Sequence, residues 1–322
     1  MNTLVSDNPD ILELQPRLID EDAAVRRIAL IELADLEDPD ALPWLTASLG
    51  DDPADEVRAE AARLLEAWEE PEVVQALCEA LSDRDLKVRV AAAQSLSQLK
   101  TAEAGRVILP WASHTDVFVR SSALRALREL RLPASAAVAL AALNDTQASV
   151  RREALGILGW LKQHSALAEL ARLLRDDPDT DVRRAAAGAL GFASDDSVLA
   201  ALQAALEDAQ WQVREEAATT LGKLGLVPAG PALVKALDDD YWQVRLRAAR
   251  ALGRLAFPAA LPGLVELLEH PISNLRKEAA LALGELRDPA ALAALEAAAH
   301  DSDPEVRKAV RIALTQLQGG GQ

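Results

Sequence analysis

The sequence predicts an all-α fold, an α/α superhelix (α-solenoid) built from ten helical hairpins. One dipeptide returns about every 31 residues through a chain of 322, and the apolar residues around each return are spaced for a helix. Composition points the same way. Half of the residues are hydrophobic but 3% are aromatic, so the apolar mass is Ala, Leu and Val, which suits many thin helix contacts. Length alone would suggest two domains of about 150 residues. The period instead indicates a single array over residues 1–318, with residues 319–322 as a disordered tail.

The recurring dipeptide is Val-Arg, with arginines at Arg26, Arg58, Arg89, Arg120, Arg151, Arg183, Arg214, Arg245 and Arg307, and Leu275-Arg276 filling the remaining slot. Successive arginines lie 31 or 32 residues apart. With the arginine as zero, position +3 is Ala in nine copies (Val310 in the tenth) and position +7 is Leu in all ten. Val at −1, Ala at +3 and Leu at +7 form one stripe of a helix, here called helix B. Between successive B helices lies a second apolar segment, helix A, whose starts at Asp38-Pro39 and Asp288-Pro289 suit proline in a first turn. One such hairpin cannot bury its own stripe, so neighbours must stack.

Six residues before the arginine stands Asp in eight copies: Asp20, Asp52, Asp83, Asp145, Asp177, Asp208, Asp239 and Asp301. Both 32-residue intervals keep this spacing, which marks the pair as scaffold: a forked ion pair, or a cap on helix B. His114 and His270 occupy the slot in the other two copies. There the imidazole together with Asp116, or a loop carbonyl, is expected to satisfy the arginine, and a pair of pH-sensitive joints is the alternative.

The unit Asp-x5-Arg-x2-Ala-x3-Leu-Gly, as in Asp208 to Gly222 and Asp239 to Gly253, resembles HEAT repeats, specifically the short type of about 31 residues typified by phycobilisome lyases. Gly at +8 is confined to Gly159, Gly191, Gly222, Gly253 and Gly284, so helix contacts in the other copies are expected to differ. The resemblance implies Asp–Arg pairs that bridge adjacent repeats, B helices on the concave surface and A helices on the convex one. Its members include chromophore lyases, protein scaffolds, immunity proteins and a di-iron hydroxylase. The hydroxylase needs His-Glu pairs, and none of His114, His164, His270 or His300 precedes Glu.

Net charge is −17, which disfavours a nucleic-acid coat or a binder of anionic membranes. The longest charge-free run, residues 132–144, is too short to span a bilayer. The start MNTLVSDNPD has no basic or apolar signal region, so cytoplasmic residence is expected. The single cysteine, Cys78, allows no internal disulfide and is expected to be a partly buried, inert thiol. No phosphate loop, nucleophile–base set or metal cluster is legible, so no catalytic residue or cofactor is expected.

The informative surface is the face of helix B at +1, +5 and +9. Its thirty positions hold ten basic and four acidic residues, a net +6 that leaves −23 to the rest of the chain. The adjoining +2 column weakens the contrast, with Glu60, Glu153, Glu216 and Glu278. Down this face copy five reads Arg152, Gly156, Trp160 and copy six reads Arg184, Gly188, Phe192. Each is a cation, bare backbone and a large ring. They suggest either a concave pocket with room above the rings or rings that plug the inner curve. Trp211 and Trp242 both stand at −3, the latter preceded by Tyr241, as a protein anchor or a hydrophobic staple. Trp44, Trp68 and Trp111 are expected to fill irregular packing.

The expected function is a non-enzymatic scaffold that holds an acidic protein or peptide segment. Its expected site is Arg125, Arg152, Trp160, Arg184, Phe192, Lys223, Arg250 and Arg254, with Trp211, Tyr241 and Trp242 as edge anchors. A phycobilin lyase-like or tetrapyrrole-handling protein is the alternative, with arginines meeting propionates. Single-stranded nucleic-acid binding is a weaker one.

Overall fold

The structure is a computed structural model that describes residue 4 and residues 6–319. Among the described residues there is no strand. The α-helices are α1 (Pro9–Leu18), α2 (Ala23–Ala34), α3 (Leu42–Asp51), α4 (Asp55–Leu64), α5 (Pro71–Ala80), α6 (Leu86–Leu96), α7 (Ala102–Ile108), α8 (Val117–Leu130), α9 (Ser135–Ala142), α10 (Ala148–Trp160), α11 (Leu167–Asp176), α12 (Thr180–Ala189), α13 (Leu199–Ala205), α14 (Trp211–Leu224), α15 (Gly230–Lys235), α16 (Trp242–Arg254), α17 (Leu261–Glu266), α18 (Ser273–Leu286), α19 (Leu292–Ala297) and α20 (Pro304–Gly319). Odd-numbered helices are the A helices and even-numbered ones the B helices, one hairpin per copy. This is the α-solenoid that the period requires. The helix α20 reaches Gly319, and the rest of the expected tail, residues 320–322, lies outside the described residues.

The chain divides into two compact units between Leu161 and Lys162, and each is a two-layer stack of hairpins. In both, the stripe residues of helix B are the core. Ala29, Ala61, Ala92 and Ala123 are fully buried in the first unit, and Ala186, Ala217, Ala248 and Ala279 in the second. The +7 leucines are buried from Leu33 to Leu283, while Val25 and Leu314, in the terminal hairpins, are half-buried. A helices start as the Asp-Pro pairs indicate: the Asp38 and Asp288 carboxylates accept the N–H of Asp40 and Ala290 at the head of short 3-10 turns. Many B helices end on a left-handed residue at +11, which is Gly225 in one copy and Glu37, Arg131, Ala256 or Arg287 in others.

The Asp–Arg column forms a ladder between hairpins. Arg26, Arg58 and Arg120 pair with Asp52, Asp83 and Asp145, and Arg183, Arg214 and Arg276 pair with Asp208, Asp239 and Asp301, at 2.6–2.8 Å. The carboxylate therefore comes from the following hairpin. In most copies the residue six before the arginine gives it a backbone carbonyl instead, as Asp20 does to Arg26 at 2.8 Å. The N-caps of the B helices stand two residues later, at Asp22, Asp85 and Asp179 for example, so the ladder Asp does not cap helix B. It folds the loop by accepting the N–H two residues on, as Asp52 does from Ala54. The hydrogen bond from Arg276 holds the Asp301 carboxyl below the usual carboxylate range.

The two histidines keep the loop and lose the rung. His114 Nδ1 accepts from the Asp116 N–H and His270 Nδ1 from the Ile272 N–H, both at 3.1 Å. Arg89 turns to Asp116 at 2.8 Å and lies 4.5 Å from the Phe118 ring centre. Here α6 touches α8 far less than it touches α4. Arg245 donates Nε to the Asp239 carbonyl and has no carboxylate partner among the described residues. Burial, then Arg245 and Arg276, push His270 below its usual 6.5. The folded state thus resists protonation, so stability falls as pH drops below about 6.5, until His270 itself takes the proton. His270→Asp should restore the rung and raise stability at pH 7 by about 1 kcal/mol, with a weaker acid dependence, both readable by thermal melts across pH 5–8. An unchanged melting profile would contradict this account.

Candidate functional site

Part of the charge of the B-helix face is spent internally. In the first unit Arg125 Nε donates to Glu153 at 3.4 Å, and Arg128 donates to the same carboxylate at 2.7 Å. In the second, Arg250 makes a forked pair with Glu278, both bonds 2.7 Å, and Arg247 pairs with Glu215 at 3.0 Å. Glu153 and Glu278 are buried. Two of the +2 glutamates, Glu153 and Glu278, therefore form a second bridge between hairpins, where the sequence shows only dilution of the positive face.

The cations that keep their charge outward are mostly in the second unit. Arg184, Lys223 and Arg254 are exposed, and none has a carboxylate within ion-pairing distance among the described residues. Glu216 is half-buried near Arg184 and Lys223. Burial raises its carboxyl above the usual range, against the attraction of Arg184. In the first unit Arg152 is exposed on α10.

The rings are not bare. Trp160 is 55% exposed, yet the Arg131 guanidinium stacks on it 3.9 Å from the ring centre. Sequence reasoning missed Arg131, because it is the left-handed residue that ends α8, outside the face columns. Phe192 is half-buried and meets His164 edge-on at 5.4 Å. The room expected beside the glycines is taken. A Cβ on Gly156 would stand 2.7 Å from Arg128 Cδ, and one on Gly188 would stand 2.9 Å from Glu216 Oε1. Neighbouring hairpins fill each notch.

At the head of the B helices, Trp211 stacks on Tyr241, with centroids 5.5 Å apart and planes 15° apart. Arg214, held by Asp239, lies 5.6 Å from the Tyr241 ring centre. Trp211 thus meets Tyr241, the N-cap of α16. Of the remaining tryptophans, Trp44 is buried and Trp111 stacks on His114. Burial pushes the Cys78 thiol up to about 12, so it stays protonated. A cavity of about 380 Å³ lined by Thr46, Asp51, Glu79 and Asp83 holds none of the expected site residues. Among the described residues no group of three or more His, Cys, Asp or Glu is placed to hold a metal, and no helix is long and apolar enough to cross a membrane.

Comparison with known proteins agrees with this geometry at the level of fold. No curated protein sequence matches the chain. An engineered protein matches with 22% identity over 97% of this chain and 99% of its own, at a TM-score of 0.57. The E. coli protein YibA matches with 19% identity over 93% and 98%, at 0.53. Yeast importin-beta (Kap95p) matches with 16% identity over 98% of this chain at 0.65, and the chain spans about half (54%) of its length. The sequence profile of HEAT repeats matches residues 6–66, 51–116, 105–191, 173–241 and 230–315. With a match that runs through nearly every hairpin, the chain belongs to the HEAT-repeat family.

Proposed function

We propose that the chain is a non-enzymatic scaffold whose B-helix face holds an acidic segment of a protein partner. The observation that carries this reading is the set Arg184, Lys223 and Arg254: exposed, without ion pairs among the described residues, in a chain of net charge −17. Such cations steer and register an acidic partner. In the reading Phe192 and Arg250 share the B face of the second unit with them, and Arg125, Arg152 and Trp160 belong to the B face of the first; Arg125 and Arg250 are already drawn toward Glu153 and Glu278. Solved structures of Kap95, a HEAT solenoid by likeness of fold, include a complex with Nup1 and one in which it binds RanGDP, which supports a partner-holding role. The tetrapyrrole and nucleic-acid alternatives are less well supported, since Arg131 covers Trp160 and Arg125 is engaged.

A fluorescent Glu-rich peptide titrated at low salt tests the reading. Arg184→Glu with Lys223→Glu should weaken binding at least about tenfold, in the range of paired rim charges. Equal affinity for the variant and the parent chain would sink it.

A further inference from the structure

The edge formed by the A–B loops of the second unit has the opposite chemistry to its B face. Positions −8 to −2 of copies six to ten hold thirteen carboxylates and one arginine. The exposed rings stand on this edge. Trp211 opens α14, Tyr241 caps α16 and Trp242 opens it, with Tyr241 45% and Trp242 36% exposed. The hairpin does not need them there. The other eight copies hold Ala23, Asp55, Leu86, Val117, Ala148, Thr180, Ser273 and Pro304 at the same column.

Two exposed carboxylates, Asp238 and Asp240, precede Tyr241, and neither has an ion-pair or side-chain hydrogen-bond partner among the described residues. Exposed rings on a loop edge rich in unpaired carboxylates repel polyanions and attract cations. Guanidinium suits it better than ammonium, being planar and weakly hydrated. The chain already makes this contact internally at Arg89–Phe118, Arg131–Trp160 and Arg214–Tyr241.

We propose that Trp211, Tyr241 and Trp242, with Asp238 and Asp240, form a docking site for an arginine-bearing extended segment of a protein partner. This is a second surface, independent of the acidic-segment reading of the B face. It separates the edge rings from the acidic partner that they were expected to anchor, because Asp238 and Asp240 oppose an acidic chain.

Calorimetric titration of the full chain with a blocked Arg-Pro-Arg-Pro-Arg peptide at low salt tests the site, with Glu-Pro-Glu-Pro-Glu as counter-probe. The arginine peptide should bind, and its lysine analogue should bind several-fold more weakly. Tyr241→Ala with Trp242→Ala should weaken binding about tenfold. Asp238→Asn with Asp240→Asn removes no internal contact, so it keeps the fold. It should weaken binding about threefold and flatten its salt dependence. Glutamate-peptide binding should survive both variants and fall only with Arg184→Glu and Lys223→Glu, so the two readings fail separately. Absence of binding at millimolar arginine peptide, or equal binding by the parent chain and the aspartate variant, overturns the proposal.

Discussion

Asp52→Ala is expected to destabilise the first unit by about 3–5 kcal/mol, the cost of stranding a buried charge. Asp52 is 2% exposed and grips Arg26 through Nε and Nη2, both at 2.7 Å. Its Oδ1 also accepts the Ala54 N–H at 2.9 Å. Alanine leaves the Arg26 guanidinium buried with two donors stripped of partners. The exposed pair Arg17–Glu32 is the control, since Glu32→Ala removes a solvated partner and should leave stability nearly unchanged. Stacked hairpins need not unfold as one. Hydrogen exchange of α2 and α4 is therefore the sharper measurement, with urea melts beside it. A loss below about 1 kcal/mol for Asp52→Ala would mean that water reaches the rung.

Gly222→Ala should be destabilising even though it replaces the poorer helix former. In a free helix the change gains about 1 kcal/mol. Here a Cβ at Gly222 would lie 2.7 Å from Ala251 Cβ and 2.8 Å from Ala251 Cα, and at Gly253 it would lie 2.7 Å from Ala282 Cα. The obstacle is backbone, so α14 and α16 must part. Overpacking of this kind costs about 1–3 kcal/mol, which outweighs the propensity gain. Gly225→Ala probes different physics: nothing lies within 4 Å, but its φ of +68° disfavours a side chain. A rise in melting temperature for Gly222→Ala would show that the helices give way easily.

These two sites also mark how far the sequence reaches. The arginine column and the stripe predict hairpins and their buried faces because each repeats at fixed spacing. The ladder is visible as a column, but spacing alone points to the Asp six residues back. The partner of Arg58 is Asp83, 25 residues on, which only the stacking of hairpins brings near. The Arg250–Glu278 bridge was less visible still. Its arms are 28 residues apart, and Arg125–Glu153 is the other copy with that pairing. The notches beside Gly156 and Gly188 looked open because a sequence shows the missing side chain and not the neighbour that fills it. The repeat column aligns Trp211 with Trp242, yet it is the Tyr241 ring that meets Trp211.

The rung geometry has a consequence for how such a chain can change over generations. In each of the six rungs described above, the arginine fastens one carboxylate ahead and one carbonyl in its own loop, as Arg214 does with Asp239 and Asp208. No rung depends on its ordinal place. Loss of residues 209–239 would set Asp208 six residues before Arg245, the same register that Asp239 holds now. Gain or loss of one whole period therefore leaves every remaining fastening chemically intact, whereas a cut of any other length breaks the rhythm at once. Array length is a freely adjustable trait in this architecture, and single residues inside the rung are not.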